Sequence, residues 1–162
     1  MQPITPALVD EVWADITRYA PERVQAEARE FLDRQPHAAA FARHLTGEAE
    51  PGVQQAAFGL AFLLFKVLER SLGRPFPRLA EERIAQAWEA NLHWLARAEA
   101  GAQSLLDTLG AAAHPSLTAY ILEVFYGAEA AACDAAVRAR LFLLLKTLTE
   151  ALDIAAVEEN AP

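Results

Sequence analysis

The chain has a single cysteine, Cys133, among its 162 residues. One thiol closes no intramolecular disulfide, so a disulfide-stapled secreted scaffold is excluded. Cationic charge is also scarce: 14 Lys and Arg stand against 22 Asp and Glu, a formal net charge of −8. Neutralising many phosphates needs a dense cationic face, so general nucleic-acid binding is excluded as a function class. The chain opens Met1-Gln2-Pro3-Ile4-Thr5-Pro6, with Asp10 and Glu11 soon after, and shows no basic segment leading into an apolar stretch. The expectation is a cytoplasmic protein without a secretory leader. The uncharged run Pro51 to Phe65, which no other exceeds in length, contains Gln54 and Gln55. It falls short of the ~20 apolar residues that cross a bilayer, so no membrane span is expected.

Catalytic and metal motifs are missing as well. There is no G-x-S-x-G elbow, no G-x-x-x-x-G-K-[ST] phosphate loop, no G-x-G-x-x-G and no H-E-x-x-H. His37 and His44 lie two helical turns apart, ~10.5 Å along the axis, which one metal ion does not bridge. Glu89 and His93 share a helix face, but a zinc site wants three or four converging ligands and nothing else joins them. They read as an exposed polar pair. His37 follows Pro36 in a first turn, where the helix dipole disfavours a positive imidazole, and no acid or nucleophile adjoins it. His114 precedes Pro115 at a helix start. Cys133 sits among alanines with no neighbouring cation to lower its pKa, which suits a small core residue. No catalytic residue, metal or cofactor is expected.

What is abundant is apolar and helix-forming. Apolar residues make up 54% of the chain, far too many for a disordered acidic tail. Alanine, leucine, glutamate and arginine dominate, and no segment alternates as a strand does. Proline and glycine divide the chain into helices. Thr5-Pro6 starts one that ends near Tyr19, and Pro21 opens a second running to Asp33. Pro36 begins a third, stopped at Gly47, and Pro51 a fourth, stopped at Gly73. The segment Gly73 to Ala80, GRPFPRLA, reads as a linker, because its prolines forbid continuous helix. Glu81 and Glu82 open a fifth helix toward Gly101. A sixth is expected over Ala102–Ala112, a seventh over Pro115–Gly127 and an eighth over Ala130–Ile154. The fold class is thus all-α, a compact bundle of about eight helices.

The two halves resemble each other. AFLLFKVLERSLG (Ala61 to Gly73) aligns without gaps on LFLLLKTLTEALD (Leu141 to Asp153), matching Phe62/Phe142, Leu63/Leu143, Leu64/Leu144, Lys66/Lys146, Leu68/Leu148 and Leu72/Leu152. Pro36 and Phe41 correspond to Pro115 and Tyr120, and Trp13 to Trp88. The expected organisation is two related four-helix halves, 1–73 and 81–155, joined by a linker at 74–80 and followed by a tail at 156–162, around one shared core. The fourth and eighth helices are apolar over most of their circumference, which places them at the centre of a bundle or at an interface.

Lys66 and Lys146 are the only lysines, at matching positions on those two helices. One reading gives them chemistry: an amine that binds an acidic group or, once desolvated, acts as a nucleophile. The other places both where the polar surface of each helix emerges, with their stems laid over apolar neighbours. Gly59 and Ala139, two turns earlier, are small enough for another helix to cross closely. Arg70, Arg74, Arg78 and Arg83 cluster around the linker, either to dock an acidic partner or phosphate, or to pair with Glu69, Glu81 and Glu82. Trp13, Trp88 and Trp94 are expected in the core.

With no chemical motif and a large apolar fraction, the leading expectation is a non-catalytic protein-interaction or accessory module, with a homodimer as one form, contacting its partner through Lys66, Lys146, Arg74 and Arg78. A carrier or sensor for a small apolar or amphipathic ligand, held between the halves, is the alternative. An enzyme with a dispersed site comes third.

Overall fold

A computed structural model of the chain describes residues 3–99 and 134–159, together with Leu117, Ala119, Tyr120 and Glu123. All secondary structure among the described residues is helical, with turns between, and no strand occurs. The chain divides into two compact units, Met1–Arg78 and Leu79–Pro162.

The first unit contains α1 (Pro6–Thr17), α2 (Pro21–Arg34), α3 (Pro36–Thr46) and α4 (Pro51–Leu72), each starting at a proline. Proline is favoured there because its fixed φ suits the helix and its missing N–H is not needed in the first turn. At α1 the Thr5 hydroxyl accepts the Leu8 N–H at 3.2 Å, the expected cap. At the far end of α4, Gly73 adopts φ +68° and its N–H donates to the Glu69 carbonyl at 2.9 Å. A left-handed residue at this place closes the helix, and glycine does so without a Cβ penalty.

α4 is the spine of this unit, with α1 and α3 packed along it and α2 lying on α3. Leu8, Val9 and Val12 of α1, with Ala38, Ala39 and Ala42 of α3, are buried alongside Ala57, Ala61, Leu63, Leu64, Phe65, Val67 and Leu68 of α4. α2 buries only Phe31, which meets Phe58, Phe62 and Phe65 at ring separations of 5.3, 5.9 and 5.1 Å. Edge-to-face and tilted rings at these distances are favourable beyond the area they bury. By length and composition α4 would suffice to cross a membrane. It packs against α1 and α3, and 39% of its apolar window is buried.

Gly59 departs from its expected role. It is exposed, and a Cβ built on it meets nothing within 4 Å, so within the first unit no described helix packs closely on it.

In the second unit, α5 (Glu81–Glu99) packs against α6 (Ala135–Glu159). The last helix begins later than its composition suggests, because the Asp134 carboxylate accepts the N–H groups of Ala136 and Val137 at 2.8 and 3.2 Å. It runs five residues past Ile154, to Glu159. Every residue from Leu141 to Thr149 is buried, consistent with a helix apolar all round. The expected sixth helix, most of the seventh, His114 and Cys133 lie outside the described residues. Of the tryptophans, Trp94 is buried and Trp88 half-buried, but Trp13 is 49% exposed, against expectation.

Candidate functional site

The first unit concentrates charge where the second half of α4 faces α1 and the beginning of α2. Lys66 is half-buried on α4, its Nζ 2.5 Å from Glu27 Oε2 on α2 and 3.7 Å from Glu69 Oε2 one turn on. Glu69 also receives Arg34 Nη2 at 2.6 Å and the Phe76 N–H at 3.1 Å. The carboxylate therefore ties the end of α2 and the segment after α4 to the helix that carries it. Arg34 and Gln35 reinforce this junction by donating to the Phe76 and Pro77 carbonyls at 3.1 and 2.8 Å. On the other side of Lys66, Arg70 forks across to α1, to Glu11 at 2.7 Å and Asp15 at 2.9 Å. Arg23 bonds Glu27 at 3.4 Å and lies 3.7 Å above the Tyr19 ring.

These groups surround a cleft of about 330 Å³ whose walls are Asp15, Tyr19, Arg23, Glu27, Lys66, Glu69 and Arg70, with Val12 and Gly73 completing them. Partial burial pushes the Glu27 carboxyl up, but the hydrogen bond and charge of Lys66, helped by Arg23, outweigh it and hold its pKa below the ordinary value. Burial pushes Lys66 down, and the bond and charge of Glu27, with Glu69 and Tyr19 adding, carry it above the ordinary amine value. Both groups are thus held charged.

The second unit carries a different lysine environment. Lys146 is 9% exposed rather than set on an emerging polar surface. Its Nζ donates to Asn91 Oδ1 on α5 at 2.5 Å and to Glu150 Oε1 on its own helix. Asn91, 1% exposed, returns its Nδ2 to Glu150 Oε2 at 2.7 Å and to Thr147 Oγ1 at 3.1 Å. The ammonium also sits 5.2 Å from the Trp94 ring centre, within cation–π range. The result is a closed ring of donors and acceptors, the condition under which buried polar groups are tolerated.

The two remaining candidates belong to the end of the first unit. Arg74 is exposed just beyond α4, and Arg78 donates to the Asp33 carbonyl at 3.0 Å. Arg70 finds its acids on α1 rather than in the linker. Glu89 and His93 are exposed, and among the described residues no group of three metal-ligating side chains forms. Sequence reasoning missed Glu11, Asp15, Tyr19, Arg23, Glu27 and Asn91. A signal existed for two pairs: Glu11/Asp15 and Arg23/Glu27 each stand one turn apart, the spacing at which side chains share a face.

No family model, no curated protein and no solved structure matches this chain.

Proposed function

We propose that the chain is a non-catalytic helical module acting through protein contacts, as an accessory subunit or a homodimer, built from two related four-helix halves. The observation that carries this reading is the exposure of large apolar side chains on the first unit: Trp13 at 49%, Val24 at 48% and Leu32 at 37%. Val24, the half-buried Ala28 and Leu32 recur at one-turn spacing and make an apolar stripe along α2. Tryptophan is the residue most often found at the energetic centre of protein interfaces.

The relation between the halves is supported by position as well as identity. α1 and α5 begin at Pro6 and Glu81, an offset of 75 residues that also pairs Val9 with Ile84 and Val12 with Ala87, all four buried. The same offset pairs Tyr19, which lines the cleft with Lys66, with Trp94, whose ring faces Lys146. Each lysine bonds or faces a carboxylate one turn further along its own helix.

The test is sedimentation velocity on the wild type and on Trp13→Ser/Leu32→Ser at micromolar concentration, with chemical cross-linking in native lysate. Association that the double substitution abolishes supports the reading. A monomeric wild type whose cross-links are unchanged by the substitutions overturns it.

A further inference from the structure

We propose that the cleft between α1, the start of α2 and the end of α4 binds a small zwitterion of the free α-amino-acid class. The site is separate from the contact module: it uses none of Trp13, Val24 or Leu32. Its size, about 330 Å³, lies at the lower end of the range of small-molecule sites and suits a compact polar guest.

Charge balance selects the guest. Three cations, Arg23, Lys66 and Arg70, and three carboxylates, Asp15, Glu27 and Glu69, line the cleft. Each cation already holds a carboxylate: Arg23 and Lys66 share Glu27, and Arg70 holds Asp15. A guest carrying only negative charge that takes Lys66 and Arg70 leaves Glu27 to Arg23 alone and Asp15 with no cation in the cleft. A guest carrying only positive charge that takes Glu27 and Asp15 leaves Arg23 with no carboxylate in the cleft. A zwitterion avoids both, because it exchanges pair for pair: its carboxylate takes Lys66 and Arg70, and its ammonium takes Glu27 and Asp15. Exchanging partners costs less than stripping one from an ion pair, most of all at the half-buried Lys66–Glu27 pair. The cations are also pre-positioned, since Arg23 is fixed against Tyr19 and Arg70 by its fork to α1, so little ordering is left for the guest to impose. Gly73, which also lines the cleft, presents no side chain to it.

The experiment is a titration of the full chain with each of the common amino acids, followed by chemical-shift changes in amide spectra. The same amino acid is then offered as its N-acetyl form, which is an anion only, and as its amide, which is a cation only. Saturable binding of at least one amino acid, weakened tenfold or more in both blocked forms, is the expected result. Lys66→Met and Arg70→Gln should each weaken that binding tenfold or more, while Arg43→Gln, exposed on α3 and outside the cleft, leaves it unchanged. Circular dichroism of each variant separates lost binding from lost folding, and either cleft variant alone suffices if the other unfolds. Absence of saturable binding by every amino acid at millimolar concentration overturns the proposal. So does equal binding of the blocked forms.

Discussion

Lys146→Met and Lys66→Met remove the same ammonium from matching positions, and their costs should differ because the surroundings do. Without Lys146, the Asn91 Oδ1 loses its donor inside a residue that is 1% exposed. A buried acceptor left unsatisfied costs about 1–3 kcal/mol. Glu150 also loses its counter-charge, but its side chain is 33% exposed and it keeps the Asn91 amide, so it rehydrates in part. The expected loss is about 2 kcal/mol, below the 3–5 kcal/mol roughly typical of breaking a fully buried pair. Without Lys66, Glu27 keeps Arg23, and Glu69 keeps Arg34 and the Phe76 N–H. Both carboxylates stay partnered, so the loss should fall below about 1 kcal/mol, in the range of partly solvated pairs. Urea unfolding followed by circular dichroism and tryptophan fluorescence measures both, with Trp94 reporting beside Lys146. Removing both polar partners in Asn91→Leu/Lys146→Met should recover part of the loss. Equal losses for the two lysines, or a Lys146→Met loss under about 0.5 kcal/mol, would refute the claim that the second-unit ring is closed and buried.

The other predictions concern backbone, core and pH. Gly59→Ala should raise stability by about 0.5–1 kcal/mol, because the site is helical and open, whereas Gly73→Ala should lower it by about 1–2 kcal/mol, because φ is +68° there; thermal midpoints decide both. Phe31→Ala should cost about 3–5 kcal/mol and loosen α2 selectively, seen as faster amide exchange over Pro21–Arg34 than over α4. Glu27 has its folded pKa depressed below 4.5, so its stabilisation is present above that value and lost as pH falls through the folded pKa. Lys66 has its folded pKa raised above 10.5, so its contribution is present below that value and lost as pH rises through the folded one. Glu27→Gln should therefore flatten stability against pH below about 4.5 and remove part of the fall above about 10.5; unchanged slopes at both ends contradict the pairing.

Local chemistry made much of this fold legible. Thr5-Pro6, Pro21, Pro36, Pro51 and Gly73 act on their own turns, so their consequences could be read from neighbours in sequence. The start of α6 was misplaced because the alanines before Asp134 propagate a helical pattern that the Asp134 cap interrupts. Trp13 was misplaced for another reason: the buried stripe of α1 is set by Leu8, Val9 and Val12, and Trp13 stands on its flank, where position alone does not decide burial. Asn91 was readable and was overlooked. Ile84, Ala87, Asn91 and Trp94 form one core stripe, and an amide within such a stripe demands buried polar partners. The cleft was not readable, since Arg70 meets acids 55 and 59 residues away and no local pattern specifies that meeting.

The matching lysines looked like one function used twice, and their surroundings argue for two. Lys146 is enclosed by Asn91, Glu150 and Trp94, so its donors are committed to holding α5 in register on α6. Lys66 stands in the wall of an accessible cleft with two carboxylates in reach, so one partner can leave while the other keeps it compensated. A residue that can exchange partners is suited to recognition; one that cannot is suited to fixing a structure. The same substitution should therefore separate the roles. Lys146→Met should lower stability and leave amino-acid binding at the first unit intact, while Lys66→Met should do the reverse. If both substitutions moved stability and binding together, the distinction drawn between the two environments would fail, and with it the assignment of the cleft.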